Sequence, residues 1–140
     1  MKIYFSGSIR GGRKDVLIYD NIISYLLTKG EVLTEHIGNI SIDSEGENIN
    51  NDKKIYQRDL EWLNQSDLVI AEVTSPSLGV GYELGISESL GKPVLCLYRD
   101  IEDKKVSAMI LGNEYFNSHK YKNIDDIKKI IQIFLHKINN

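Results

Sequence analysis

"DLVIAEVTSPSLGVGYELG", Asp67 to Gly85, decides the fold. Its first seven residues are an apolar run of the kind buried on both faces of a parallel sheet. Prolyl and glycyl turn signals follow in "SPSLG". Helical periodicity then runs from Val80 to Leu90, and "GKP" stops it. A glutamate, Glu83, therefore lies just beyond the carboxyl end of a buried strand, among glycines and serines. Acidic residues are common in first helical turns, where the macrodipole favours them. Chemistry would also place a carboxylate there.

Working outward, four more strand-like runs appear: "KIYFSG", "EVLTEH", "PVLCLYR" and, more weakly, "YFNSHKY". Segments of helical period separate them. Asp15 to Lys29 sets Val16, Tyr19, Ile22, Ile23, Leu26 and Leu27 at spacings of three and four, and Gly30 ends it. Asp52 to Gln65 turns Ile55, Leu60 and Leu63 inward. Lys105 to Leu111 reads as a short helix ended by Gly112. Ile124 to Ile138 carries Ile127, Ile130, Ile131, Phe134 and Leu135 on one face. Strands alternating with helices predict an α/β fold, a parallel sheet covered on both sides. Right-handed crossovers leave few topologies, and the expected one is a five-stranded, flavodoxin-like order 2-1-3-4-5. The whole chain, 1–140, reads as one domain. The acidic stretch Ile37 to Asn51 reads as a long loop.

Composition bounds the rest. A chain of 140 residues buries enough surface to fold without a metal or disulfide. Net charge is −3, which disfavours a protein that coats nucleic acid. No apolar run approaches membrane-spanning length. "MKIYFSGS" enters a strand with no signal-peptide layout, and the one cysteine, Cys96, sits in a buried run. A cytoplasmic setting and a core-filling thiol are the expectations. Cys96 has no placeable histidine partner, and no cluster has metal-ligand spacing.

In such a sheet, ligands bind beyond the carboxyl ends of strands 1 and 3, where strand order reverses. Two loops lie there. "SGSIRGGR", Ser6 to Arg13, is a glycine-rich turn whose backbone N–H groups can approach an anion; Ser8 adds a hydroxyl and Arg10 a charged fork. It is neither a Walker loop nor a dinucleotide fingerprint. "PSLGVGYE" adds Ser77 and the backbones of Gly79 and Gly81. Together they suggest a phosphate site.

A carboxylate touching phosphate would repel it, so Glu83 belongs one sugar length away, facing an anomeric carbon. Acid catalysis then needs a second carboxyl. "YQRDLEWLNQSD" offers Asp59, which can point to the sheet's upper edge, Glu61, expected to face solvent, and Asp67, expected as a turn residue at the opposite end. Tyr4, inside strand 1, needs a hydroxyl partner if buried, and a carboxylate would serve. His36 ends strand 2 at the ligand edge.

"YFSGSIRGGR", "VLTEH", "RDLEWLNQSDLVIAEVTSPSLGVGYELG", "GKPVLCLYR" and "VSAMI" together resemble the 2'-deoxynucleoside 5'-monophosphate N-glycosidases of the nucleoside 2-deoxyribosyltransferase superfamily. The likeness runs in register from about Lys2 to Gly112. It implies hydrolysis of the N-glycosidic bond of deoxynucleoside monophosphates, with no cofactor or metal. It implies Glu83 as nucleophile, Asp59 as the acid assisting base departure, and Tyr4 as the residue positioning the nucleophile. It places Ser8, Ile9, Arg10 and Gly11 in one phosphate loop and Ser77 and Gly79 in the other. Ser107 would reach the phosphate from a neighbouring subunit, which implies a homodimer with shared sites. His36 falls near base or sugar. No nucleic acid or membrane partner is implied.

A retaining mechanism would set two carboxyl groups about 5 Å apart, with Glu83 ionised and Asp59 raised by its like-charged neighbour. The arginine-bearing loop favours a phosphorylated substrate over the bare nucleosides that the transferases use. Tyr4 and Ile9 are the residues expected to crowd a 2'-hydroxyl. A deoxyribosyltransferase, a cytidine-monophosphate-type N-glycosidase and a non-catalytic nucleotide binder are the alternatives.

Overall fold

The computed structural model describes residues 1–9, 15–38, 51–101 and 105–140. The elements are β1 (Lys2–Ser6), α1 (Val16–Leu27), β2 (Glu31–Val32), a 3-10 turn (Glu35–Gly38), α2 (Asp52–Gln65), β3 (Leu68–Glu72), α3 (Leu78–Ser89), β4 (Val94–Tyr98), α4 (Ala108–Leu111), β5 (Asn117–Lys120) and α5 (Ile124–Asn139). The strands form one parallel sheet of order β2-β1-β3-β4-β5, the expected order.

Strand alternation divides the core in two. Ile3, Phe5, Leu68, Ile70, Leu95 and Leu97 face α1 and α5. Tyr4, Val69, Ala71, Val94 and Cys96 face Leu63 of α2 and Val80 and Leu84 of α3. Cys96 is a buried free thiol, as expected. Each fully buried Leu or Ile contributes roughly 1.5–3 kcal/mol. Leu84→Ala would cost about 2–5 kcal/mol and loosen α3 from the sheet.

Four boundaries differ from the sequence reading. The second strand is only two residues long: the Leu33 N–H still donates to the Ile3 carbonyl at 2.9 Å, and beyond it a side chain replaces the backbone ladder. Thr34 Oγ1 accepts from the Phe5 N–H at 2.9 Å and donates to the Phe5 carbonyl at 2.6 Å. His36 accordingly lies in the 3-10 turn rather than at a strand end. Leu27 is exposed, not inward, since α1 ends there and the chain turns away to β2. The helix expected from Lys105 is confined to Ala108–Leu111, with Ser107 as its N-cap. The helix expected from Val80 begins at Leu78, because Ser77 caps it by accepting the Val80 N–H at 3.3 Å. Gly91, at φ 68°, ends this helix in the left-handed region that glycine tolerates.

Asp67 lies at the far end of the sheet as expected, pairing with Lys2 through both N–H groups. Glu61 is exposed, also as expected. Most of the acidic loop, residues 39–50, lies outside the described residues.

Candidate active site

The site forms where β1 and β3 run side by side and end, with Tyr4 opposite Val69 and Ser6 opposite Ala71. Tyr4 and Ser6 are two residues apart and share the face that packs α2 and α3. Glu83 descends onto that face from the second turn of α3. The first turn holds no acidic residue, so the macrodipole does not explain the position of Glu83. Ser6 Oγ donates to Glu83 Oε2 at 2.8 Å, and the Tyr4 hydroxyl also bonds the Glu83 carboxylate.

Burial pushes the Glu83 carboxyl up to about 7. The hydrogen bonds from Ser6 and Tyr4 oppose this, and the charge of Asp59 adds to it. The Tyr4 hydroxyl is pushed up as well, first by burial, then by Glu83 and Asp59. Tyr4 is thus a proton-bearing donor throughout the physiological range.

Asn51 caps α2 by accepting the Lys54 N–H at 2.9 Å, which fixes the helix that carries Asp59. Arg58 Nη2 and Nε donate to Asp59 Oδ1 at 2.8 and 3.0 Å. The same guanidinium lies 4.5 Å from the Trp62 ring centroid, one turn along α2, and 3.4 Å from His36 Nε2. The His36 and Trp62 rings are 5.7 Å apart. His36 is thereby joined to Asp59 through one arginine. Burial is thus the largest cause raising Glu83, a shift the sequence reading did not expect, and Arg58 forms an ion pair with Asp59.

The first glycine-rich loop is described only to Ile9. Ser8 is buried and its N–H donates to the Tyr19 hydroxyl at 3.2 Å. Gly7 lets that ring approach, since a Cβ there would meet it at 3.1 Å. Ile9 packs against the α1/α5 core. Arg10 and Gly11 lie outside the described residues. In the second loop Ser77 caps α3, and a Cβ on Gly79 would meet only Ser77 Oγ, at 3.9 Å. A helix-interior glycine costs about 1 kcal/mol relative to alanine. Nothing in the chain's own packing requires it at Gly79, and the open space suits close approach of a ligand. Ser107 is exposed and accepts the Met109 N–H at 3.2 Å.

The structure thus brings Tyr4, Asp59, Glu83 and His36 to one edge of the sheet, with the Ser8 and Ser77 loops also at strand ends. Ser6, Arg58 and Trp62 were missed by sequence reasoning. Ser6 was legible as the residue two after Tyr4, on the same strand face. Arg58 and Trp62 were legible as an i, i+4 pair beside Asp59.

An open parallel sheet with two electrostatically coupled carboxyl groups at its switch-point edge defines a doubly wound α/β protein equipped for acid-base or nucleophilic chemistry. The chain belongs to the nucleoside 2-deoxyribosyltransferase family, whose profile matches residues 3–131. It is 48% identical over 135 residues to 5-hydroxymethyl-dUMP N-hydrolase of Danio rerio, covering 94% of each chain. It is 46% identical over 136 residues to 5-hydroxymethyl-dUMP N-hydrolase of Mus musculus, covering 96% of this chain and 78% of that one. Among solved structures it is similar in fold to the CMP N-glycosidase of Clostridium botulinum. The TM-score is 0.65 at 19% identity, over 95% of this chain and 99% of that one.

Proposed function

We propose that this protein, acting as one domain over residues 1–140, hydrolyses the N-glycosidic bond of 2'-deoxynucleoside 5'-monophosphates to free base and 2-deoxyribose 5-phosphate. The single observation that carries this is the Glu83 carboxylate, held by Ser6 and Tyr4 and coupled to Asp59 at the ligand edge of the sheet. Relatives at nearly half identity carry N-hydrolase names for such substrates.

In this mechanism the ionised Glu83 attacks C1' of the sugar. The bond from C1' to the base nitrogen breaks, and its electron pair leaves with the base. Asp59, or a water it holds, supplies the proton; the Arg58 ion pair favours the water. Water then adds to C1', the ester bond breaks, the carboxylate is regenerated and a proton is released. Ser6 holds Oε2 of Glu83, so that Oε1 can face C1'. That is orientation supplied before the reaction begins. A phosphate clamp made by the loop of Ser8, Ile9, Arg10 and Gly11, with Ser77 and Gly79, fixes the sugar against Glu83. Binding energy from the unreacting phosphate is thereby used for alignment. His36, with Trp62 and Arg58, lines the base side. Ser107 serves the phosphate of a partner protomer, which makes the working unit a homodimer with shared sites. The setting is cytoplasmic, and no described helix is long and apolar enough to cross a membrane.

Chromatographic product analysis tests this reading. The protein is incubated with each deoxynucleoside monophosphate, the matched ribonucleotides, and unphosphorylated deoxynucleosides with and without a second free base. Free base from the deoxy monophosphates alone is the expected result. Release from ribonucleotides, new nucleoside formed with the second base, or binding without release would each overturn it.

A further inference from the structure

A second polar cluster, which the mechanism does not use, joins Asp15 to the β3–α3 loop. Asp15 is the N-cap of α1, yet its side chain makes no capping bond to that helix. An N-cap aspartate ordinarily accepts an N–H from the first helical turn. Here both oxygens are committed elsewhere. Oδ1 accepts from Arg99 Nη2 at 2.8 Å, and Oδ2 accepts from Ser75 Oγ at 3.2 Å. These partners lie 84 and 60 positions away in sequence. Arg99 is itself fixed: its N–H donates to Thr74 Oγ1 at 3.0 Å, and its guanidinium lies 5.8 Å from the Tyr121 ring centroid. Tyr121 donates to the buried Glu72 at 3.0 Å, and the Thr74 N–H donates to the same carboxylate at 2.6 Å. One arginine thus ties the start of α1, the β3–α3 loop and the end of β4 together.

The first two of these segments adjoin, in sequence, the two loops assigned to phosphate. An unpaired carboxylate beside a phosphate dianion raises the cost of binding it, and a cation on that carboxylate removes the repulsion. We propose that Arg99 is a positioning residue for phosphate binding: it draws the Asp15 carboxylate onto Ser75 and cancels the Asp15 charge. The inference rests on the monophosphate reading above.

The test measures KM for a deoxynucleoside monophosphate and the inhibition constant of inorganic phosphate, together with the thermal midpoint. The variants are Arg99→Gln, Asp15→Asn and the double variant. Arg99→Gln is expected to weaken both constants about tenfold while kcat changes less than about threefold. The double variant is expected to recover most of the loss, because the uncancelled charge is gone. Mere structural support would not give that recovery. If Arg99→Gln does not fold, Arg99→Lys, which keeps the charge on a shorter reach, is expected to show a smaller loss in the same direction. Unchanged phosphate affinity in the single variant, or no recovery in the double, overturns the proposal. If inorganic phosphate does not inhibit the wild-type protein, it is the monophosphate reading that fails.

Discussion

Ser6 and Glu83, 77 residues apart in sequence, meet at 2.8 Å, with the serine hydroxyl donating to the carboxylate. The bond crosses from the last residue of β1 to the second turn of α3. It selects one orientation for a carboxylate that burial would otherwise leave protonated and mobile.

Removing that donor is expected to slow turnover and to shift its pH dependence. Glu83 must be ionised to attack, so kcat/KM should rise as pH passes through about 7. The Ser6 bond lowers the Glu83 value, so Ser6→Ala should move the rising limb to higher pH. Turnover at pH 7 should fall roughly tenfold, the worth of one charge-assisted hydrogen bond. A pH-rate profile of both proteins checks it.

Glu83→Gln is expected to abolish turnover, by about 10³-fold or more, while phosphate binding survives. It should also stabilise the fold in a pH-dependent way. The folded value of about 7 lies above the ordinary 4.5, so between those values the unfolded chain releases a proton that the folded chain keeps. Stability falls as pH rises through that window and stays lower above it. The glutamine protein should gain on the order of 2 kcal/mol at pH 8 and nothing at pH 4, allowing for partial exposure. Denaturant melts at both pH values decide this; an equal change at each would show that Glu83 has an ordinary carboxyl.

Arg58 touches Asp59, His36 and Trp62 at once. Arg58→Ala should leave the fold intact, because the ion pair is partly exposed and contributes roughly 0–1 kcal/mol. Its effect should appear in activity, as a fall of about tenfold that differs between bases, if the residue lines the base side as proposed. Steady-state kinetics on a purine and a pyrimidine substrate would show it.

Ser107 sits exposed at the start of the short α4. Ser107→Ala should raise KM several-fold with little change in melting temperature, because one exposed cap is worth about 1 kcal/mol. If the residue serves a partner's site, specific activity of the wild-type protein should fall on dilution below the dimer dissociation constant. Activity independent of concentration across that range would remove Ser107 from a shared site.

The sheet was legible because each strand declares itself by apolar run and turn signals, and right-handed crossovers fix the order. Glu83 and Tyr4 followed from that order, since only residues at strand ends 1 and 3 can reach the crevice. What sequence did not show were contacts set by side chains rather than by period. Thr34 ends β2 by imitating a ladder rung, which a strand pattern continuing to His36 conceals. Arg58 pairs with its own chain neighbour Asp59, a contact that no periodicity signals. The Asp15–Arg99–Ser75 tie joins three loops and has no local signature at any of them.

The central claim is that Glu83 forms a covalent bond to C1' of the sugar. Methanol added to the reaction would compete with water and trap the sugar as a methyl glycoside, which does not mutarotate. Two displacements at C1' preserve the substrate's β configuration, whereas direct attack by solvent inverts it. Proton magnetic resonance of the methyl 2-deoxyriboside 5-phosphate should show the β anomer alone. The α anomer would mean that solvent attacks the sugar directly and that Glu83 is not the nucleophile.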